Sequence, residues 1–119
     1  MSWVYSQTTG NLDWYKKYIG KGYSGTGPGR NNPLMQSARN IGPIPQGRYD
    51  IGPPHDTPTH GPYVMNLTPL PETMIFHRSG FLIHGDNRRH DASHGCIILA
   101  PQLRHQVWHS GDRRIRVVP

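Results

Sequence analysis

The sequence predicts a mainly β fold: its apolar residues come in short runs, turn-forming residues break those runs, and only one segment keeps a helical period. Glycine (14) and proline (12) are abundant among 119 residues, of which 34% are apolar. Long uninterrupted helices are therefore disfavoured and short strands joined by loops are favoured. At this length one folded domain, residues 1–119, with a modest core is expected. The expected architecture is a single-domain β-sandwich or barrel with one or two short helices.

Residues 3–7 and 12–19 are rich in aromatic and β-prone types, and Thr8-Thr9-Gly10-Asn11 between them has hairpin turn chemistry. Two opening antiparallel strands are predicted. Residues 20–33 carry repeated Gly and Pro and read as a loop, followed by a short helical turn over 34–39. A strand is expected at 48–51, entered through Ile41-Gly42-Pro43-Ile44-Pro45-Gln46-Gly47. After a Pro-rich loop over 52–62, three short strands are predicted at 63–67, 74–77 and 81–84. Pro101 suits a first helical position, and Leu103, Val107 and Trp108 recur at helical spacing before Ser110-Gly111. One helix of two to three turns is therefore expected there. Residues 114–118 alternate like a closing strand.

Thirteen Lys and Arg against seven Asp and Glu give a formal charge of +6, which attracts anions in general. The basic residues are scattered, adjacent only at Lys16-Lys17, Arg88-Arg89 and Arg113-Arg114, so a solvated surface is favoured over a nucleic-acid-binding patch. The single cysteine, Cys96, cannot form an intramolecular disulfide, so the compartment stays open. The first residues lack a basic segment followed by an apolar run, so no classical export signal is read. No apolar stretch is long enough for membrane insertion as a helix.

The densest chemical signal is Phe81-Leu82-Ile83-His84-Gly85-Asp86, then a polar loop, then Ser93-His94-Gly95-Cys96-Ile97-Ile98-Leu99. An apolar strand delivers His84-Gly85 at its end, and a second apolar run starts at the cysteine. A free thiol is only a few per cent ionised at neutral pH, so nucleophilic work requires a base or cation beside it. His84 and His94 are the candidates, with His84 free to approach across strands. Gly95 lets the backbone turn sharply and is expected to leave the amides of Gly95 and Cys96 open to a substrate oxygen. A buried cysteine that merely packs needs no Ser-His-Gly before it, which favours the reactive reading.

This arrangement resembles the L,D-transpeptidase (YkuD-like) family, whose signature is a His-Gly or His-Ser pair followed by Ser/Thr-His-Gly-Cys. Ile44-Pro45-Gln46-Gly47-Arg48-Tyr49 is also similar to the family's Thr-Pro-x-Gly-x-Phe/Tyr strand entry, with Ile44 in place of Thr. The short chain, the loop Gly27 to Pro33 and the run Arg78 to Asp86 resemble a compact branch of L,D-transpeptidase effectors delivered by the bacterial type VI secretion system. Two features depart from the family: Ile98 stands where Arg or Asn is usual, and the interval of twelve residues from His84 to Cys96 is short.

The resemblance implies a YkuD-like β-sandwich or barrel, no cofactor and no metal. It implies that Cys96 attacks the carbonyl between the L-centre of diaminopimelate and terminal D-alanine in a peptidoglycan tetrapeptide stem. His84 would take the thiol proton, the Gly85 carbonyl would orient the imidazole, and a thiolate-imidazolium pair would lower the thiol pKa. The thioester would pass to water, a stem amine or a free D-amino acid. His94, Gly95 and Ser93 would shape and support the oxyanion loop, with Tyr63 a further donor and Arg78 and Arg88 as substrate contacts. The substrate lies in the periplasm of a target bacterium, and an antibacterial effector implies a cognate immunity protein in its producer. A housekeeping cross-linking enzyme, a non-catalytic wall-binding module and a zinc site are the rival readings. Zinc draws on His84, His90, His94 and the i,i+4 pair His105/His109, but there is no second cysteine and no Glu beside His105.

Overall fold

A computed structural model describes residues 2–119. The chain forms strands β1 (Trp3–Ser6), β2 (Asn11–Trp14), β3 (Lys17–Lys21), β4 (Tyr23–Ser24), β5 (Gly47–Ile51), β6 (His55–Thr57), β7 (Gly61–Pro69), β8 (Leu82–His84), β9 (Ile97–Ile98) and β10 (Arg114–Val118), with one helix, α1 (Pro101–His109). Two 3-10 turns, Gly27–Gly29 and Pro33–Met35, punctuate the long connection after β4. The mainly β class with a short helix agrees with the expectation from sequence.

The strands form one mixed sheet in the order β3-β2-β1-β10-β5-β7-β8-β9-β4, with β6 paired to β7. Its edge strands β3 and β4 are separated in the chain by Gly22 alone, so the sheet curls until its edges approach. Gly22 makes that closure sterically feasible, because a Cβ there would overlap the carbonyl oxygen of Ile98.

Strand alternation sorts residues by face. The register Trp3↔Ile115↔Tyr49 places three fully buried side chains in one inward row, while Val4↔Arg116↔Arg48 faces outward beside it. Leu12, Ile44, Met65, Ile83, Ile97 and Leu99 are among the residues that join them in the core. The Trp3 and Trp14 rings stack at 5.1 Å, and each indole N–H donates to the segment after the helix, at Ser110 Oγ and Asp112 Oδ2, both 3.0 Å away.

Pro101 starts α1, and Ser110 with the left-handed Gly111 (φ +80°) ends it. Val107 fills the core side. Arg104, also buried, donates from Nε to the Leu99 carbonyl at 3.1 Å and from Nη1 to the Pro62 carbonyl at 2.6 Å. The buried guanidinium thus ties the helix to the β6–β7 hairpin.

Four expectations from sequence are corrected, the first being that residues 20–33, expected as a loop, hold the end of β3 and all of β4 (Tyr23–Ser24). The run 12–19 is two strands, because Tyr15 and Lys16 both take left-handed backbone (φ 52° and 61°) and reverse the chain without glycine or asparagine. Residues 74–77 form no strand, since Phe76 and His77 are likewise left-handed (φ 56° and 59°). The Pro-rich loop over 52–62 contains β6, whose short ladder with β7 follows no clear sequence alternation.

Candidate active site

Strands β8 and β9 run parallel, with Ile83↔Ile97 and His84↔Ile98 in register. Ile83 and Ile97 point into the core, so alternation puts His84 and Cys96 together on the opposite face. Cys96 sits one step before β9, beside Leu82, so the two side chains are diagonal neighbours offset by two residues, about 6.6 Å along the strands. Both are buried, with 3% of His84 and 8% of Cys96 exposed.

The Gly85 carbonyl lies 2.8 Å from His84 Nδ1. A carbonyl only accepts, so Nδ1 carries the proton and Nε2 is left with a free lone pair. Burial lowers the His84 pKa below its ordinary 6.5, and the nearby charges of His60 and Arg104 act in the same direction against the opposing Gly85 bond. The imidazole is therefore neutral at neutral pH, with Nε2 able to accept a proton. Gly85 itself is confined from behind, since a Cβ would stand 2.9 Å from Arg104 Nη2.

Burial pushes the Cys96 thiol up to about 11, against the opposing pull of the Leu82 amide and the Arg78 charge. Desolvation thus acts against both ions of the expected thiolate-imidazolium pair.

These shifts fix a pH dependence. Because the folded ring refuses a proton that the unfolded chain accepts, the base form survives to more acidic pH than a free histidine. The acid limb of kcat/KM is expected below pH 6.5, and folding stability should decline as pH falls under that same value. A rate profile whose acid midpoint lies at or above 6.5 would contradict a desolvated neutral base.

Ser93, fully buried, organises the loop before the cysteine. Its Oγ donates to the Cys96 carbonyl (2.6 Å) and accepts from the amides of Gly25 (2.9 Å) and Gly95 (3.2 Å). The Gly95 N–H is thus engaged rather than open to substrate, a correction that leaves the Cys96 N–H as the main-chain donor on this loop. Gly95 is left-handed (φ +124°), and a Cβ there would land on Arg78 Nη2. His94 is exposed and contacts the Asn40 carbonyl at 3.3 Å.

A cleft of about 650 Å³ opens on the imidazole side, lined among others by His60, His84, Asp86, Asp91 and His94. Asp86 holds the short loop that follows His84: Tyr23 donates to one carboxylate oxygen at 2.6 Å, and His90 meets the other at 2.7 Å. Burial raises the Asp86 pKa, but these hydrogen bonds outweigh it and hold the carboxyl below its ordinary value. The tight link across the loop explains how it can be short.

The three expected substrate contacts are not assembled in this cleft. The Tyr63 ring stacks on His105 of α1 at 3.9 Å and is absent from the cleft lining. Tyr63 is partly buried there. Arg88 is exposed on the loop after Gly85, outside the lining. Arg78 is 4% exposed, and its guanidinium donates to the carbonyls of Gln36, Gly42 and Pro43, so it lies beneath the cysteine loop rather than in this cleft. His105 and His109 meet edge-on at 6.0 Å on the helix surface. Sequence reasoning missed His60, whose ring centre lies 4.7 Å from that of His84 across the β6–β7 hairpin, and Arg104; neither sits in a motif.

The mainly β fold sets a buried cysteine and a carbonyl-oriented histidine on one sheet face. The chain belongs to the Tlde1 domain family, whose model matches residues 19–118. This is a family of type VI secretion L,D-transpeptidase effector domains, so the chain is an effector domain of a peptidoglycan-acting kind. No helix is long and apolar enough to cross a membrane among the described residues. A search of curated proteins gave no match.

Proposed function

We propose that the chain is a cysteine-dependent L,D-transpeptidase and L,D-carboxypeptidase acting on peptidoglycan tetrapeptide stems in the periplasm of a target bacterium. The observation that carries this reading is the His84 Nδ1 contact with the Gly85 carbonyl, which frees Nε2 on the face shared with Cys96. Nε2 takes the thiol proton as sulfur attacks the carbonyl between diaminopimelate and D-alanine, so the thiolate forms only in the encounter. The Cys96 N–H receives the developing oxyanion. His84 then returns its proton to the leaving amine of D-alanine, and a thioester remains. Water converts it to a tripeptide, a free D-amino acid to an exchanged stem, and a stem amine to a cross-link.

The net cationic surface suits an anionic wall polymer, and the producing cell needs a cognate immunity protein. Mass spectrometry of purified tetrapeptide muropeptides incubated with the protein tests the reading. Tripeptide is expected alone, and a D-methionine-terminated tetrapeptide when D-methionine is added. Unchanged muropeptides under reducing conditions would end it.

A further inference from the structure

Strand pairing carries one row of residues across the solvent face of the sheet. Tyr18 on β3, Asp13 on β2, Val4 on β1, Arg116 on β10 and Arg48 on β5 stand opposite one another in register. Four strand spacings make the row about 19 Å long. Arg114, two residues before Arg116, projects from the same face. Tyr15 and Lys16 from the β2–β3 turn join Asp13 and the three arginines among the residues that line a groove of about 640 Å³ there. Basic residues that lie scattered in the sequence are thus gathered on one face. The groove shares no lining residue with the His84 cleft, and β7 stands between its strands and β8.

Three observations mark this face. Arg116 and Arg48 are directly opposed across strands, and like charges so placed destabilise a sheet. Glu72 offsets Arg48 and Asp50 offsets Arg114, at 2.8 Å, whereas Arg116 and Lys16 make no ion pair among the described residues. Tyr15 and Lys16 are both left-handed (φ 52° and 61°), a turn that Asn or Gly would make at lower cost. Tyr15 and Tyr18 leave 59% and 58% of their surface exposed. Unpaired cations beside exposed rings fit a polymer that carries both carboxylates and sugar rings, whose apolar CH faces stack on aromatic side chains.

We propose that this face is a second binding surface, which holds the peptidoglycan polymer by its stem carboxylates and glycan rings at a place apart from the reacting stem. The choice of polymer rests on the wall-acting reading above. Arg116 and Lys16 pair with carboxylates of stems that are not being processed, and Tyr15 and Tyr18 stack on sugar rings. A hold on one strand of the wall mesh keeps the His84 cleft among neighbouring stems. It raises their effective concentration without touching the reacting atoms.

Co-sedimentation of the Cys96→Ser chain with insoluble peptidoglycan sacculi reads retention while stems are not consumed. Adding Lys16→Gln and Arg116→Gln is expected to weaken retention about tenfold at low salt. Tyr15→Asn, which suits left-handed backbone, should weaken it about threefold. Retention should fall as salt rises, and amidation of the sacculus carboxylates should reduce it as far as the double substitution does. With Cys96 intact, the double substitution should leave turnover of soluble tetrapeptide muropeptides unchanged and lower turnover of sacculi by about tenfold. Retention that neither the double substitution nor amidation alters overturns the surface. Equal displacement by polyglutamate, duplex DNA and soluble peptidoglycan strands at matched charge overturns its assignment to the wall. Retention without turnover of either substrate keeps the surface and overturns the transpeptidase reading, whereas wild-type turnover of sacculi by the double variant keeps that reading and overturns the surface.

Discussion

Cys96→Ser is expected to lower turnover of tetrapeptide stems by at least about 10⁴-fold while the protein still melts cooperatively near the wild-type temperature. The substitution keeps the small side chain and a donor for the Gly80 carbonyl, now 3.6 Å from sulfur, so packing changes little. What changes is acidity: an alcohol is far harder to ionise than a thiol, and a neutral, desolvated His84 is a weak base for it. Chromatographic quantification of tripeptide and exchanged stem, paired with thermal unfolding, separates the two effects. Serine-variant turnover within tenfold of wild type would remove Cys96 from the mechanism.

Gly95→Ala should combine loss of stability with loss of activity. The methyl group meets Arg78 Nη2 and forces an L residue to φ +124°, so a destabilisation of about 2 kcal/mol or more is expected. The loop carrying the Cys96 amide shifts with it, and turnover should fall by about 10²-fold even at temperatures where the variant is folded. Gly111→Ala is the control: it carries comparable backbone strain (φ +80°), but no atom lies within 4 Å of the added methyl. Urea denaturation of both variants isolates the steric part. Equal stability and full activity for Gly95→Ala would show that the guanidinium yields freely and that the loop tolerates movement.

The Gly95→Ala prediction rests on Arg78, one of two buried cations whose burial local sequence does not announce. Arg78 and Arg104 each stand in loop or helix positions where a solvated charge is the ordinary expectation, yet each is 4% exposed. Arg104 holds the hairpin and confines Gly85, and Arg78 supports the cysteine loop from below. Their carbonyl partners lie between 5 and 42 residues away in sequence, which is why local reading could not find them.

His84, Gly85, Ser93 and Cys96 were legible as candidates because strand ends, a glycine turn and a lone cysteine leave local marks. The helix over Pro101–His109 and the strand over Arg114–Val118 were likewise legible, each having a period, a starting residue and a stop. The reversal at Tyr15-Lys16 was not, because its residues have no turn preference and the hairpin is held by the pairing of β2 with β3.

Composition and local pattern alone determined a mainly β chain with a short helix and singled out His84 and Cys96 as the candidate reacting pair, since strand alternation and nucleophile chemistry are properties of neighbouring residues. Only the folded chain decided how far those two groups are desolvated. Desolvation depends on what long-range packing places around a group, and here burial raises the Cys96 thiol pKa and lowers that of His84.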